Sequence, residues 1–218
     1  MNIKTKLLSL FSIVVLCFSV TVKADEHADS LAFLQQKWAE ANYQLQDEKQ
    51  KAQAFENLLV AADKAVAAYP NAADMLIWRG IIKSTFAGVK GGLGALSLVK
   101  SSREDLEHAL DIEPTALDGS AYTSLGTLYF KVPGWPISFG DDDEAEKLLK
   151  TALAINPEGI DQNFFYAQYL MDQGKYKDAK IHLLTASNAK PRVGREVADQ
   201  GRKLEISHLL KEVDAKLL

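Results

Sequence analysis

"LKTALAINP", residues 149–157, decides how the chain is read. An alanine, Ala152, stands five residues before a proline, Pro157. The same frame closes "ADKAVAAYP" (62–70), "LEHALDIEP" (106–114) and "LLTASNAKP" (183–191). Ala65, Ala109 and Ala186 hold the alanine place, and Pro70, Pro114 and Pro191 the proline place. Each frame predicts a helix whose small residue lets a neighbour approach closely and which proline ends, because proline lacks an N–H and clashes with the preceding turn. The prolines are spaced 44, 43 and 34 residues apart. The chain therefore reads as four related units.

"GKYKDAKIHLLTA" places Gly174, Tyr176 and Ala179 at the start of the last unit's second helix. "YTSLGTLY" supplies Leu125-Gly126 followed by Tyr129, with Ala145 and Ala152 in the helix after it. "LIWRGII" offers Trp78 and Gly80, and an earlier helix carries Trp38, Ala41 and Tyr43. On these residues the chain resembles the tetratricopeptide repeat (TPR) family over roughly 30–191, whose period is about 34 residues. The resemblance implies an all-α fold, an α-solenoid of four TPR-like helix pairs. The pairs are expected at 28–45 with 48–69, 72–87 with 95–112, 119–130 with 142–154, and 161–173 with 176–189. The corresponding repeats run 28–70, 71–114, 115–157 and 158–191, and a helix over 195–218 follows. Ile206, Leu209, Leu210 and Val213 form its apolar stripe, with Lys203, Glu205, Lys211 and Glu212 outside. Such a helix is expected to cap the exposed end of the solenoid.

The N-terminus reads differently. Lys4 and Lys6 precede an apolar run, Leu7 to Val20, too short for a comfortable membrane span. Val22-Lys23-Ala24 has small residues where a signal peptidase reads. We read 1–24 as a signal peptide cleaved before Asp25, the other reading being an uncleaved anchor. A lipoprotein signal wants a small residue before its cysteine, and Leu16 precedes Cys17. Residues 25–218 then form one repeat domain, expected in the periplasm with no stable membrane anchor. That part lacks cysteine, so it has no disulfide or thiolate metal site. Losing Lys4, Lys6 and Lys23 takes the formal charge from −4 to −7, which argues against nucleic acid or anionic lipid as a charge-driven partner.

Two joints are longer than the repeat requires. Gly80 to Pro114 spans 34 residues and Leu125 to Pro157 spans 32, against about 24 and 25 in the repeat consensus. The excess falls in "AGVKGGLGA" and in "KVPGWPISFGD", both between first and second helix. Equivalent joints share an edge of a solenoid, so the Gly88–Gly94 and Trp135 loops are expected to meet and shape the mouth of a groove. Trp135 and Phe139 are either core plugs or ligand contacts. Asp141, Asp142 and Asp143 suit a helix N-terminus, and EF-hand ligand spacing is absent. "GVKGGLG" lacks the Lys-Ser/Thr of a phosphate loop and follows a helix instead of a strand.

No catalytic set emerges. His27, His108, His182 and His208 are scattered, and neither H-E-x-x-H nor G-x-S-x-G occurs. No enzyme activity, cofactor or metal site is expected. Equivalent positions on the first helices put Ile77, Ile81, Thr123, Thr127, Phe164 and Gln168 on the groove, beside Trp135 and Phe139. Arg195, Asp199 and Arg202 share a helix flank at i, i+4 and i+7, where they salt-bridge one another or contact an anion. "VPGWPISFGDDDEAEKLL" and the pair Gly91-Gly92 also resemble exported repeat proteins related to the T component of TRAP-type transporters. That resemblance implies a periplasmic scaffold that associates with a substrate-binding protein and forms a ligand channel. The leading expectation is a non-enzymatic scaffold for a protein or peptide partner. The alternative is a ligand-binding or channel subunit of a transporter.

Overall fold

The computed structural model describes residues 25–218, and the signal-peptide reading of 1–24 lies outside them. Nine helices and no strand occur among the described residues. They are α1 (25–43), α2 (Glu48–Ala68), α3 (Ala73–Lys90), α4 (Gly92–Ile112), α5 (Ala116–Lys131), α6 (Asp142–Ile155), α7 (Ile160–Asp172), α8 (Tyr176–Asn188) and α9 (Glu196–Lys216). Consecutive helices pack in antiparallel-type pairs, and each pair contacts the next. This is a TPR-like solenoid.

The local signals act as expected. α2, α4, α6 and α8 each end two or three residues before their proline. Ala109, Ala152 and Ala186 are wholly buried and Ala65 nearly so. Within pairs, glycine allows the close approach. A Cβ on Gly80 would meet Leu106 Cγ at 2.9 Å, and one on Gly126 would meet Leu149 Cγ at 2.8 Å. Asp47 and Asp141 cap their helices by accepting from Gln50 N–H at 2.8 Å and Glu144 N–H at 2.9 Å. The acid triplet is thus a cap with two first-turn acids behind it, Asp142 and Asp143.

Between α3 and α4 the core carries charge. Asp105 is buried and accepts from Arg79 at 2.6 and 2.9 Å and from Lys83 at 2.6 Å. Lys83 also donates to Ser101 at 2.7 Å. Each buried charge therefore has a partner, the condition under which such a cluster is tolerated.

The Gly88–Gly94 loop does not form. α3 runs to Lys90 and α4 starts at Gly92, so the joint is Gly91 alone, at φ 62°. The extra residues lengthen the two helices to 18 and 21 residues. Helical hydrogen bonding absorbs Gly88 and Gly94 because no proline interrupts that stretch. The Pro-Gly-Trp-Pro loop does form. It leans on the middle of α4, where Pro136, Ile137, Ser138 and Phe139 face Lys100, Arg103, Glu104 and Glu107. Phe139 sits edge-on to Tyr129, 5.4 Å between centroids, and 4.9 Å from the Arg103 guanidinium carbon. Together these findings correct the expectation of two loops meeting at one edge.

The last helix does more than cap. Ile206 and Val213 are buried in the final core with Leu209 and Leu210 against it, as the stripe predicts. Ala198 and Val197, on the same helix, belong to the first core with Trp38, Phe55 and Trp78. Tyr43 of α1 donates its hydroxyl to Glu205 of α9 at 3.1 Å. Thus α9 joins the two ends of the array. The contact requires Gly201, because a Cβ there would overlap the near end of the Tyr43 ring. Gly201→Ala is expected to destabilise by about 1–2 kcal/mol, overcrowding outweighing the gain in helix propensity. In a Tyr43→Ala background the same change should stabilise. Chemical denaturation of the four variants reads the reversal of sign, and equal effects in both backgrounds would refute the close contact.

Candidate functional site

Four successive first helices and the α9 region line a half-open cavity of about 290 Å³. Gln35 and Trp38 come from α1, Trp78, Ile81, Ser84 and Thr85 from α3. α5 supplies Ser120, Thr123, Ser124, Thr127 and Leu128, with Leu117 and Asp118 at its entry, and α7 supplies Asp161 and Phe165. Arg192, Arg195 and Arg202 complete the wall. The repeats place their first helices side by side, so the cavity is a property of the array.

Five expected site residues meet here: Ile81, Thr123, Thr127, Arg195 and Arg202. The other five do not. Ile77 is wholly buried in the core between α3, α4 and α5. Phe164 is buried beneath Arg202, whose guanidinium carbon lies 4.1 Å from its ring centroid. Its neighbour Phe165 lines the cavity instead, with Asp161 one turn earlier. One residue is about 100° of helix rotation, so a register slip of one exchanges wall for core. Gln168 is half-buried on α7 and outside the lining. Phe139 packs on Tyr129 and Arg103 beside the α4 loop contact. Trp135 is 90% exposed, so it neither plugs the core nor lines the cavity. Two prolines and the chain's brief excursion hold its indole at the loop tip, where no second helix is available to cover it. Trp135→Ala should change stability by no more than about 0.5 kcal/mol in a urea titration. A loss of several kcal/mol would restore the core-plug reading.

The cavity's rim is mostly hydroxyl. Ser84 and Thr85 donate to the Ile81 carbonyl, Ser120 to Leu117, Thr123 to Gly119 and Thr127 to Thr123. Their protons are committed to the backbone, so the oxygens remain as acceptors. The apolar wall is aromatic. Trp38 and Trp78 stand edge to face at 5.8 Å, and Trp38 Nε1–H donates to Thr85 Oγ1 at 3.0 Å.

The entry is conformationally unusual. Leu117, Asp118 and Gly119 all have positive φ, at 48°, 56° and 75°. Two non-glycine residues in that region store strain and need support. Gln162 gives some, donating to the Asp118 carbonyl at 2.8 Å. Gly119 has no room for a side chain beside Ile155.

Charge is unevenly shared among the arginines. Arg192 donates to Asp199 Oδ1 at 2.8 and 2.6 Å and to Asp161 Oδ2 at 2.6 Å. Arg202 donates to Asp161 Oδ1 at 2.8 Å and to Glu205 at 2.6 Å. Burial by itself would push the Asp161 carboxyl up. The Arg202 and Arg192 guanidinium groups outweigh it and hold the carboxyl far below the usual carboxylate range. Arg195 stands 4.8 Å over the Trp78 ring. Burial, and then the like charge of Arg192, lower its guanidinium below the ordinary value. The expected ion pair of Asp199 with Arg195 and Arg202 is not formed, and Asp199 serves Arg192. Arg195 is the residue before α9, with a non-helical φ of −121°, so the i, i+4 geometry does not apply to it.

Trp38, Trp78, Phe165, Asp161 and Arg192 are cavity residues the expectation missed. Trp38 and Trp78 stood among the repeat residues, but only the curvature of the array turns them inward.

Residues 137–199 match a family model described as Tetratricopeptide repeat. That span covers α6, α7, α8 and the start of α9. No curated protein matches the chain. Tetratricopeptide repeats generally mediate protein–protein interaction.

Proposed function

We propose that the chain is a non-enzymatic periplasmic scaffold that binds the end of a peptide or protein partner in the cavity lined by α1, α3, α5, α7 and α9. The observation that carries this is the cavity's construction. One helix from every repeat contributes to it, and α9 closes the groove. At about 290 Å³ it lies near the lower limit of ligand pockets, roughly 300 Å³. That size admits a chain end and not a segment running through. The indole walls supply apolar area and the hydroxyl oxygens supply acceptors for peptide N–H groups. The family-model match over 137–199 supports an interaction role. Export rests on the N-terminal pattern of Lys4, Lys6 and the apolar run before Ala24.

The closure by α9 also favours a second reading, a small-molecule subunit working with the substrate-binding protein of a TRAP-type transporter. A half-open pocket of this size fits such a ligand as well as a chain end.

A photo-crosslinking residue at Ser124, on the cavity wall, is compared with one at Ser187, exposed on α8. A partner protein crosslinked from 124 and not from 187 supports the scaffold reading. Small-molecule adducts at 124 with no protein would favour the transporter reading, and identical products from both positions would refute a groove-borne function. Intact-mass analysis of the periplasmic protein is expected to show a chain beginning at Asp25. A retained Met1 in that fraction would refute export by cleavage.

A further inference from the structure

Among the described residues, three buried side-chain nitrogen or oxygen atoms have no hydrogen-bond partner: Trp78 Nε1, Ser138 Oγ and Arg195 Nε. Two of the three belong to residues that line this cavity, and both are donors. A buried donor left without an acceptor keeps its full desolvation cost, and a charged one more so. The neighbouring arginines are satisfied by Asp161, Asp199 and Glu205. Arg195 has no carboxylate within ion-pair distance among the described residues, although the like charge of Arg192 acts on it. Its guanidinium stands over the Trp78 ring instead. The missing partner is therefore an acceptor, and an anion.

We propose that the cavity binds its ligand by a carboxylate, held by the Arg195 guanidinium against the Trp78 indole. This rests on the reading of the cavity as a binding site and names the chemistry it selects. A carboxylate fits better than a phosphate for two reasons. The planar guanidinium fork matches two carboxylate oxygens. Among the described residues that line the cavity, Arg195 is the one cation without a carboxylate, while Asp161 and Asp118 line the same cavity and would repel a dianion. The hydroxyl oxygens on α3 and α5 then accept N–H groups farther along the ligand. The carboxylate comes from the C-terminus of a peptide or from a free organic acid, and both sources satisfy Arg195 alike.

The test uses the chain from Asp25 to Leu218 with Trp135→Phe. Of the three tryptophans only Trp38 and Trp78 then remain, both on the cavity wall. Indole emission is followed during titration with pools of N-acetylated random hexapeptides, as free acids and as C-terminal amides, and with octanoate and octanamide. Free acids should bind roughly tenfold or more tightly than their amides, the scale of a charge-assisted hydrogen bond. Arg195→Gln should remove that preference while leaving the melting temperature unchanged or raised, since it deletes a half-buried charge whose Nε has no partner. Arg195→Lys should retain part of it, because charge survives without the fork. Acid preference among peptides identifies a chain terminus as the source, and preference only between octanoate and octanamide identifies a free organic acid. Acid and amide bound equally, with emission changing in both, would overturn the carboxylate assignment and leave the cavity as a binding site. Emission unchanged by every probe, with Arg195→Gln behaving as the parent, would overturn both.

Discussion

Ala152→Arg is expected to leave no cooperatively folded protein. Ala152 lies on α6 with no exposed surface, one turn beyond Leu148 and Leu149. Those leucines already meet the face of Gly126 on α5, where a Cβ would lie 2.8 Å from Leu149 Cγ and 3.2 Å from the Ala145 carbonyl. The pair is packed to near contact, so a long side chain has no volume to enter. Its charge would have no described acid on that interface to meet, and an unpaired buried charge adds a further penalty. Losses above about 4–5 kcal/mol are exceptional for one substitution, and the whole domain has about 5–15 kcal/mol to lose. Thermal denaturation by circular dichroism is the measurement, with Lys150→Arg on the exposed side of the same turn as control. A soluble Ala152→Arg protein with the parent's melting temperature would contradict the repeat register.

The second large effect belongs to Asp161, which both Arg192 and Arg202 hold. Asp161→Asn should cost about 3 kcal/mol at neutral pH, the low end for breaking a buried pair, since Arg202 is buried but the carboxylate is half-buried. It falls at the low end also because Arg192 retains Asp199 and Arg202 retains Glu205. The pH dependence has a definite sign. The folded carboxyl titrates well below its unfolded value of about 3.9. Its linked stabilisation is therefore complete above that value and is lost as pH falls toward the folded pKa. The difference between parent and Asn variant should be constant from about pH 5 to 8 and should narrow below about pH 4. Urea midpoints across that range measure it. A difference that persisted undiminished at pH 3 would mean that Asp161 acts through shape and not through charge.

The network also explains why a solenoid needs this chain end. Arg202 bridges α9 to α7 through Asp161, while Arg195 and Tyr43 link the α9 region to α3 and α1. Loss of Asp161 should accordingly loosen the last helix before the repeats. Amide exchange in α9 should rise before exchange in α5 and α6.

Most of the helices were legible from sequence because their signals are local. A proline two or three residues past Ala68, Ile112, Ile155 or Asn188 ends a helix through atoms within one turn of it. The spacing of Leu125, Gly126, Ala145 and Ala152 needs only one antiparallel pair to express it. Asp141 caps α6 through an N–H three residues away. The expected strip followed from equivalence between repeats, and three of its six first-helix positions, Ile81, Thr123 and Thr127, fall on the cavity.

What the amino-acid sequence determined by itself was thus the helix pairs, their order and the face each turns to its neighbour. Tertiary structure alone decided where the two ends meet. Tyr43 and Glu205 are 162 residues apart, and no periodicity within either helix encodes their hydrogen bond. It arises because small rotations between successive repeats add up until α9 reaches α1. The same accumulation turns Trp78 and Phe165 inward, leaves Trp135 in water, and gives Arg192 and Arg202 their carboxylates while Arg195 has none among the described residues. A side chain's partners across a curved array depend on the sum of all the intervening packing angles, which no single stretch of the chain contains.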